Sequence, residues 1–375
     1  MNAKKKVTVC VSNDLVTDNR VFKTCTILQQ LDYEVTLIGR RKKKSLRMDE
    51  RNYKTKRFNL VFEKGPLFYG MLNLRIFFFL LFRKTDLIFS NDLDTLPACY
   101  LAFKCKRKTR IIYDTHELFT EVSELINRPL KRKIWLQIER RILPKLDTII
   151  TVNESIANVY FKKYNVPVHV VRNIPPLYKP QNANVREKLG IKKDEFVLII
   201  QGSGLNKDRG IEEAIIAMKY CQDCRLLIVG DGDIIPEAKR LVTLNELSKK
   251  VHFIGRRPYL ELMQITETAN LGLLMDKAVN QNHKLALPNK LFDYMHAHVP
   301  ILSNKLIEIE RFIISNEIGV VISDLSPKAI SSAIMNLKQD HKLRIVFREN
   351  CKKTALKVNW NKESERLITA IKSKT

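Results

Sequence analysis

Short apolar runs recur along this chain, each β-branched, closed by a polar turn and followed by a helical stretch. VTVCVS (7–12), EVTLIGR (34–40), DLIFSND (86–92), RIIYDTHE (110–117), DTIITVN (147–153) and VHVVRN (168–173) read as short buried strands. A helix is expected between the first two, around Arg20 to Leu31. PPLYKPQNANVREKLGIKKDE (175–195) breaks the rhythm, being polar and proline-bearing, and reads as a linker. The pattern then restarts with FVLIIQG (196–202), RLLIVGDG (225–232), KVHFIG (250–255), NLGLLM (270–275), VPILS (299–303) and GVVIS (319–323). Alternation of this kind demands parallel sheets with right-handed crossovers. The expected fold is α/β, with two Rossmann-like, doubly wound parallel-sheet domains facing a central cleft. The expected boundaries are 1–180 and 181–342, with a C-terminal helix at 343–375, carrying Trp360, packing back onto the first domain. At 375 residues the chain suits two cores better than one. Ligand sites in such sheets lie at the carboxyl ends of the strands.

The densest of these strand ends is LALPNKLFDYMHAHVPILSNKLIE (285–308). Pro288 and Asn289 stop the preceding element and open a helix, on which Leu291, Phe292 and Met295 share a face. Free N–H groups and the positive dipole end at such a start suit a phosphate. Lys290 adds a cation there, and Asp293 adds a carboxylate able to accept from a ribose diol. The span reads as a nucleotide-diphosphate pocket.

Three glycine turns precede it. In QGSGLNKDRG (201–210), Gly202 and Gly204 permit close backbone approach to a ligand, and Lys207 and Arg209 can hold a diphosphate. VGDGD (229–233) supplies Asp231, and FIGRR (253–257) supplies Ile254 and Gly255, turns of a kind that can hydrogen-bond a nucleobase. In the first half, SNDLVTDNRVFKTC (12–25) places Asp18 to cap a helix, with Asn13, Asn19 and Arg20 beside it on an expected acceptor side. YDTHELFTE (113–121) ends a strand with Asp114, His116 and Glu117, and a histidine flanked by carboxylates there can orient a sugar hydroxyl. The absence of G-x-G-x-x-G after the first strand argues against a dinucleotide-binding oxidoreductase.

The formal charge of +26 is high, and the first half is the more basic, notably at 40–47, 104–110 and 131–133. Such a surface seeks phosphate on lipid, glycan or nucleic acid, but no nucleic-acid motif accompanies it, so nucleic acid is not an expected partner. The seven cysteines are odd in number and scattered, as reduced thiols are, and Cys221 and Cys224 form one CxxC, read as a surface coincidence. The opening MNAKKKVTVCVS reads as a strand rather than a signal peptide. No run reaches a membrane span, but PLFYGMLNLRIFFFLLFRK (66–84) allows two readings, a core helix or a helix lying in the membrane interface.

Taken together, TDNRVFK, YDTHE, the IITVN–VVRN pair, GSGLNKDRG, IVGDG, HFIG and LPNKLFDYM resemble the GT-B fold glycosyltransferases, and within them the retaining group 1, or family four. The resemblance implies transfer of a sugar from a UDP- or GDP-sugar to a glycan or lipid-linked acceptor, in cell-surface polysaccharide or glycolipid synthesis. It implies direct same-face displacement with no metal and no cofactor, the nucleotide-sugar being a substrate. The family's phosphate-binding pair falls on Arg209-Gly210, its active-site histidine on His116, and the second glutamate of its E-x7-E pair, the ribose binder, on Asp293. The first glutamate falls on Leu285, with His283 and Asn282 the nearest polar candidates for the donor sugar; Leu287, Pro288, Asn289 and Leu291 complete the expected donor loop. His116, Arg209 and Lys290 are the expected catalytic groups. A cytoplasmic enzyme, peripheral on an anionic inner membrane face, is expected. The alternatives are a noncatalytic GT-B-like binding subunit and a nucleotide-sugar epimerase.

Overall fold

The computed structural model describes residues 4–16, 18–181 and 184–373. It divides into two compact units, Met1–Asn173 with Glu363–Thr375, and Ile174–Lys362.

The first unit holds a seven-stranded sheet built from β1 (Lys6–Cys10), β2 (Glu34–Arg41), β3 (Lys54–Asn59), β4 (Leu87–Asn91), β5 (Arg110–Asp114), β6 (Thr148–Thr151) and β7 (Val168–Val170). All pairings are parallel, in the order β3-β2-β1-β4-β5-β6-β7. Six of these strands follow the apolar runs of the sequence. The exception is β3, KTKRFN, an edge strand with one buried residue whose charges give no apolar signal. The strand order reverses direction between β1 and β4, so a crevice opens at the carboxyl ends of those two strands.

The second unit repeats the plan with β8 (Phe196–Gly202), β9 (Cys224–Gly230), β10 (Val251–Phe253), β11 (Leu271–Leu274), β12 (Ile301–Asn304) and β13 (Gly319–Ile322). Its order is β10-β9-β8-β11-β12-β13, again all parallel, with the reversal between β8 and β11. Cores lie on both faces of this sheet. The helix Asn289–His296 is locked onto one of them by Leu291, Phe292 and Met295. The buried Tyr294 hydroxyl fixes its position on the sheet. It lies 3.3 and 3.2 Å from the carbonyls of Ile199 on β8 and Leu273 on β11, and accepts from the Gln201 N–H at 3.2 Å. The start of this helix is therefore tied to the reversal point.

Two expectations about organisation shift. The units divide at Asn173/Ile174 and not at 180/181, because Ile174 and Tyr178 already pack in the second core. The tail is two helices, His341–Lys357 and Trp360–Lys372. The first belongs to the second unit, with Cys351 and Ala355 in its core, and only residues from Glu363 onward belong to the first. There Glu363 pairs with Arg172 at 3.0 Å, and Arg110 donates to the carbonyl of Ile371. Cys221 and Cys224 are buried, not superficial; they close the turn before β9.

The helix Gly65–Leu81 resolves the 66–84 run by its faces. Phe68, Leu72, Ile76 and Leu80, four apart, are buried. Leu67, Leu74, Phe78 and, just beyond the helix, Phe82 are exposed, Phe82 at 79%. No helix among the described residues is long and apolar enough to cross a membrane.

Candidate functional site

In the second unit the three glycine turns form one ridge at the carboxyl ends of β8, β9 and β10. Leu205 donates to the Asp231 carbonyl at 3.0 Å, Gly230 to that of Gly255 at 3.0 Å, and Ile234 to that of Leu205 at 3.3 Å. Gly230 has φ +136°, and a Cβ there would stand 1.9 Å from the Gly202 oxygen, its ladder partner. No other residue fits at that contact.

The next turn carries the charge. Gly210, at φ +67°, lets the loop lie on Met275; a Cβ would meet the Met275 carbonyl oxygen at 2.2 Å. The backbone carbonyl of Asp208 accepts from the Lys277 N–H at 2.9 Å on the same seam. That seam brings Arg209 to Asp276, the second residue past β11: Arg209 Nη1 lies 2.6 Å from Oδ1. Lys290, from the first turn of Asn289–His296, reaches Oδ2 at 2.8 Å. Asp276 is 4% exposed. Burial opposes its charge, but Lys290 and Arg209 outweigh burial and hold its carboxyl below the usual range. Two cations far apart in sequence thus converge on one buried carboxylate at the reversal point of the sheet. The helix start beside them has no side-chain cap.

The other expected donor residues divide. Lys207 is exposed, and its N–H bonds Asp233 at 3.0 Å. Asp231 is exposed and pairs with Arg256 at 3.5 Å. Gly204 lies exposed on the ridge, and Ile254 and Leu287 pack against the core beneath it. Leu291 is wholly buried, so its part is packing and not ligand contact. Asp293, 8% exposed, accepts from Tyr259 Oη at 3.0 Å and from Gln201 Nε2 at 3.0 Å. Its carboxylate oxygens are already bonded within the protein, so a ribose diol would share them. His283 and Leu285 lie in the short helix Gln281–Leu285, which Asn280 caps by accepting from the His283 N–H at 2.7 Å; Leu285 is buried. Pro288 occupies the N-cap position with extended backbone, and Asn289 begins the helix.

In the first unit Asp18 caps the helix Asn19–Gln30 as the sequence indicates, accepting from the Val21 N–H at 2.9 Å. Asn13 donates to Asp18, and Asn19 is exposed. Arg20 departs from the acceptor-side expectation. It is 6% exposed and grips both oxygens of Asp114 at 2.6 and 3.0 Å and the Val171 carbonyl at 2.9 Å. It is a structural cross-link from the first helix to β5 and the end of β7. His116 lies between two carboxylates, with Nδ1 3.3 Å from Asp92 and Nε2 3.5 Å from Asp114. Its neighbour Glu117 offers its backbone carbonyl to the Thr115 hydroxyl at 2.8 Å. Burial works against charge on His116 and Arg20 repels it, but Asp92 and Asp114 prevail and raise its pKa from 6.5 to about 9. At neutral pH the ring is an imidazolium, a donor at both nitrogens. Asp94 nearby is pushed up to about 7 by burial and by Asp92.

A charge held this way stabilises the folded state fully below the unfolded value near 6.5, and that share is lost as pH climbs through about 9. The stability difference between wild type and His116→Gln, followed by urea denaturation from about pH 6 to 10, is therefore expected to shrink across that window. A difference that is flat with pH would show that the ring is neutral.

Asp92 and Asp276 are the cluster positions that sequence reading passed over. Asp92 follows β4 directly and Asp276 lies two residues past β11, so both stand at a reversal point. A carboxylate closing a buried strand was the available signal. Asp92 escapes such a reading because the group it meets, His116, comes from the end of a different strand.

The model for glycosyltransferase family 4 matches residues 19–176, and that for glycosyl transferases group 1 matches residues 181–354. An uncharacterized glycosyltransferase of Methanocaldococcus jannaschii is 22% identical over 73% of this chain and 69% of its own length. The alpha-monoglucosyldiacylglycerol synthase of Acholeplasma laidlawii is 22% identical over 46% of this chain and 48% of its own. Among solved structures, sucrose-phosphate synthase of Thermosynechococcus elongatus matches with TM-score 0.80 at 16% identity, covering 98% of both chains. Anabaena HepE, solved with UDP and glucose, matches with TM-score 0.76 at 15% identity, covering 99% of this chain and 100% of its own. With its two parallel-sheet domains matched in turn by these two models, the chain belongs to the GT-B glycosyltransferases of family four, group 1.

Proposed function

We propose that this glycosyltransferase moves a sugar, with retention of configuration, from a nucleoside-diphosphate sugar to a glycan or lipid-linked acceptor. The observation that carries the reading is the meeting of Arg209 and Lys290 on Asp276, beside an uncapped helix start. Charge accumulates on the leaving diphosphate as the glycosidic bond breaks. Two fixed cations and the first N–H groups of Asn289–His296 stabilise that charge more than they stabilise the intact donor. The complex of Anabaena HepE with UDP and glucose supports a UDP-sugar as the first donor to test. His116, an imidazolium held by Asp92 and Asp114, is the candidate to orient a sugar hydroxyl, which would have to take Nδ1–H from its 3.3 Å contact with Asp92.

The acceptor side is read from the helix Gly65–Leu81. Its exposed Leu67, Leu74 and Phe78, with Phe82 and the bases Arg83 and Lys84 after it, suit insertion at an anionic membrane surface from the cytoplasmic side. The lipid-glycosylating relative from Acholeplasma supports this choice. The test is nucleotide release from a panel of UDP-, GDP- and ADP-sugars, with and without anionic vesicles bearing lipid extract. Release from one donor, raised by vesicles that also float the protein at low salt, is expected. Release from none would remove the transfer reading, and vesicles without effect at any ionic strength would remove the membrane.

A further inference from the structure

The donor-site cluster contains its own anion. Arg209 and Lys290 carry two positive charges, and Asp276 cancels one of them from a position that water barely reaches. The neighbouring Lys277 does not alter this balance, since Glu213 holds it at 2.6 Å. Asp276 is fixed from behind: Asn304 Nδ2 donates to its carbonyl at 2.8 Å, and Met275 before it is clamped by Gly210. Arg209 commits only Nη1 to the carboxylate, and its side chain is 30% exposed. Among the described residues, its Nε and Nη2 have no hydrogen-bond partner.

We propose that Asp276 is the built-in counter-ion of the diphosphate site, holding Arg209 and Lys290 in register while the site is empty and competing with the diphosphate for them when it is full. This rests on the donor reading above. Without the carboxylate, two cations would stand close together with no anion between them, and the empty site would be strained. With it, the empty site carries one net positive charge instead of two and is ordered, and the nucleoside diphosphate left after transfer is held less tightly than two unopposed cations would hold it. The residue therefore exchanges diphosphate affinity for release.

The test is Asp276→Asn, which keeps the shape and removes the charge. Calorimetry with UDP and with inorganic pyrophosphate is expected to give affinities about tenfold or more tighter than wild type, since close charge pairs couple by at least that much. The ligand-free variant melts lower than wild type, and pyrophosphate raises its Tm further than it raises that of wild type. Asp276→Glu, which restores the charge, returns the affinity toward wild type. Should Asp276→Asn not fold alone, refolding in millimolar pyrophosphate is expected to recover it. Wild type that binds UDP, beside a variant that binds no tighter or is not recovered by pyrophosphate, would overturn the counter-ion. Wild type that binds neither ligand would instead remove the diphosphate site, and this inference with it.

Discussion

Arg209→Ala and Lys290→Ala are each expected to lower kcat for nucleotide-sugar turnover by about 10²–10³-fold, the usual cost of deleting one preorganised group that faces developing charge. Both side chains end on the same carboxylate, at 2.6 and 2.8 Å, so each truncation does two things. It removes a cation from the leaving group, and it lets Asp276 pull fully on the cation that remains. The double variant should therefore fall well short of the product of the two single losses, as groups acting as a unit do. Arg209→Lys keeps the charge but loses the planar fork, and an intermediate rate is expected. Initial-rate measurements of nucleotide release settle this. Wild-type kinetics in either alanine variant would take that residue out of the phosphate site.

Arg20→Ala is expected to destabilise the protein by about 3–5 kcal/mol, the range for breaking a buried ion pair by removing one partner. In the wild type its guanidinium spans Asp114 and the Val171 carbonyl, both well inside the first unit. Removal strands the Asp114 carboxylate, which is 1% exposed, with His116 at 3.5 Å left to answer it among the described residues. A fall in Tm of roughly 10 °C follows for a unit of this size. An acceptor-binding Arg20 would behave otherwise, leaving the melting curve intact and raising the acceptor KM. Thermal denaturation of the variant decides between the two roles.

The reading of Arg20 shows where sequence reasoning stops. Position in a loop after the first strand correctly announced Asp18 as a cap, because capping is a contact between residues three apart. It misassigned Arg20, whose partners lie 94 and 151 residues away. Leu291 failed for a related reason: helical spacing places it on a helix, but only the sheet beneath decides that its face is the core. The strands were legible because a strand buried on both faces must be apolar throughout, whatever surrounds it. The edge strand β3 is covered less and escaped notice.

Local chemistry alone therefore determined the two α/β repeats, the glycine turns after β8, β9 and β10, the cap at Asp18, and the cation at the start of Asn289–His296. Hydrophobic periodicity, turn geometry and capping act over a few residues, and a linear string carries them. The tertiary structure alone decided that Arg209 and Lys290 share Asp276, that His116 is charged between Asp92 and Asp114, and that Arg20 is a cross-link. Each of those depends on which strand ends stand side by side. That order is set by crossovers that reverse at β1/β4 and β8/β11, and burial then gives the assembled charges their strength.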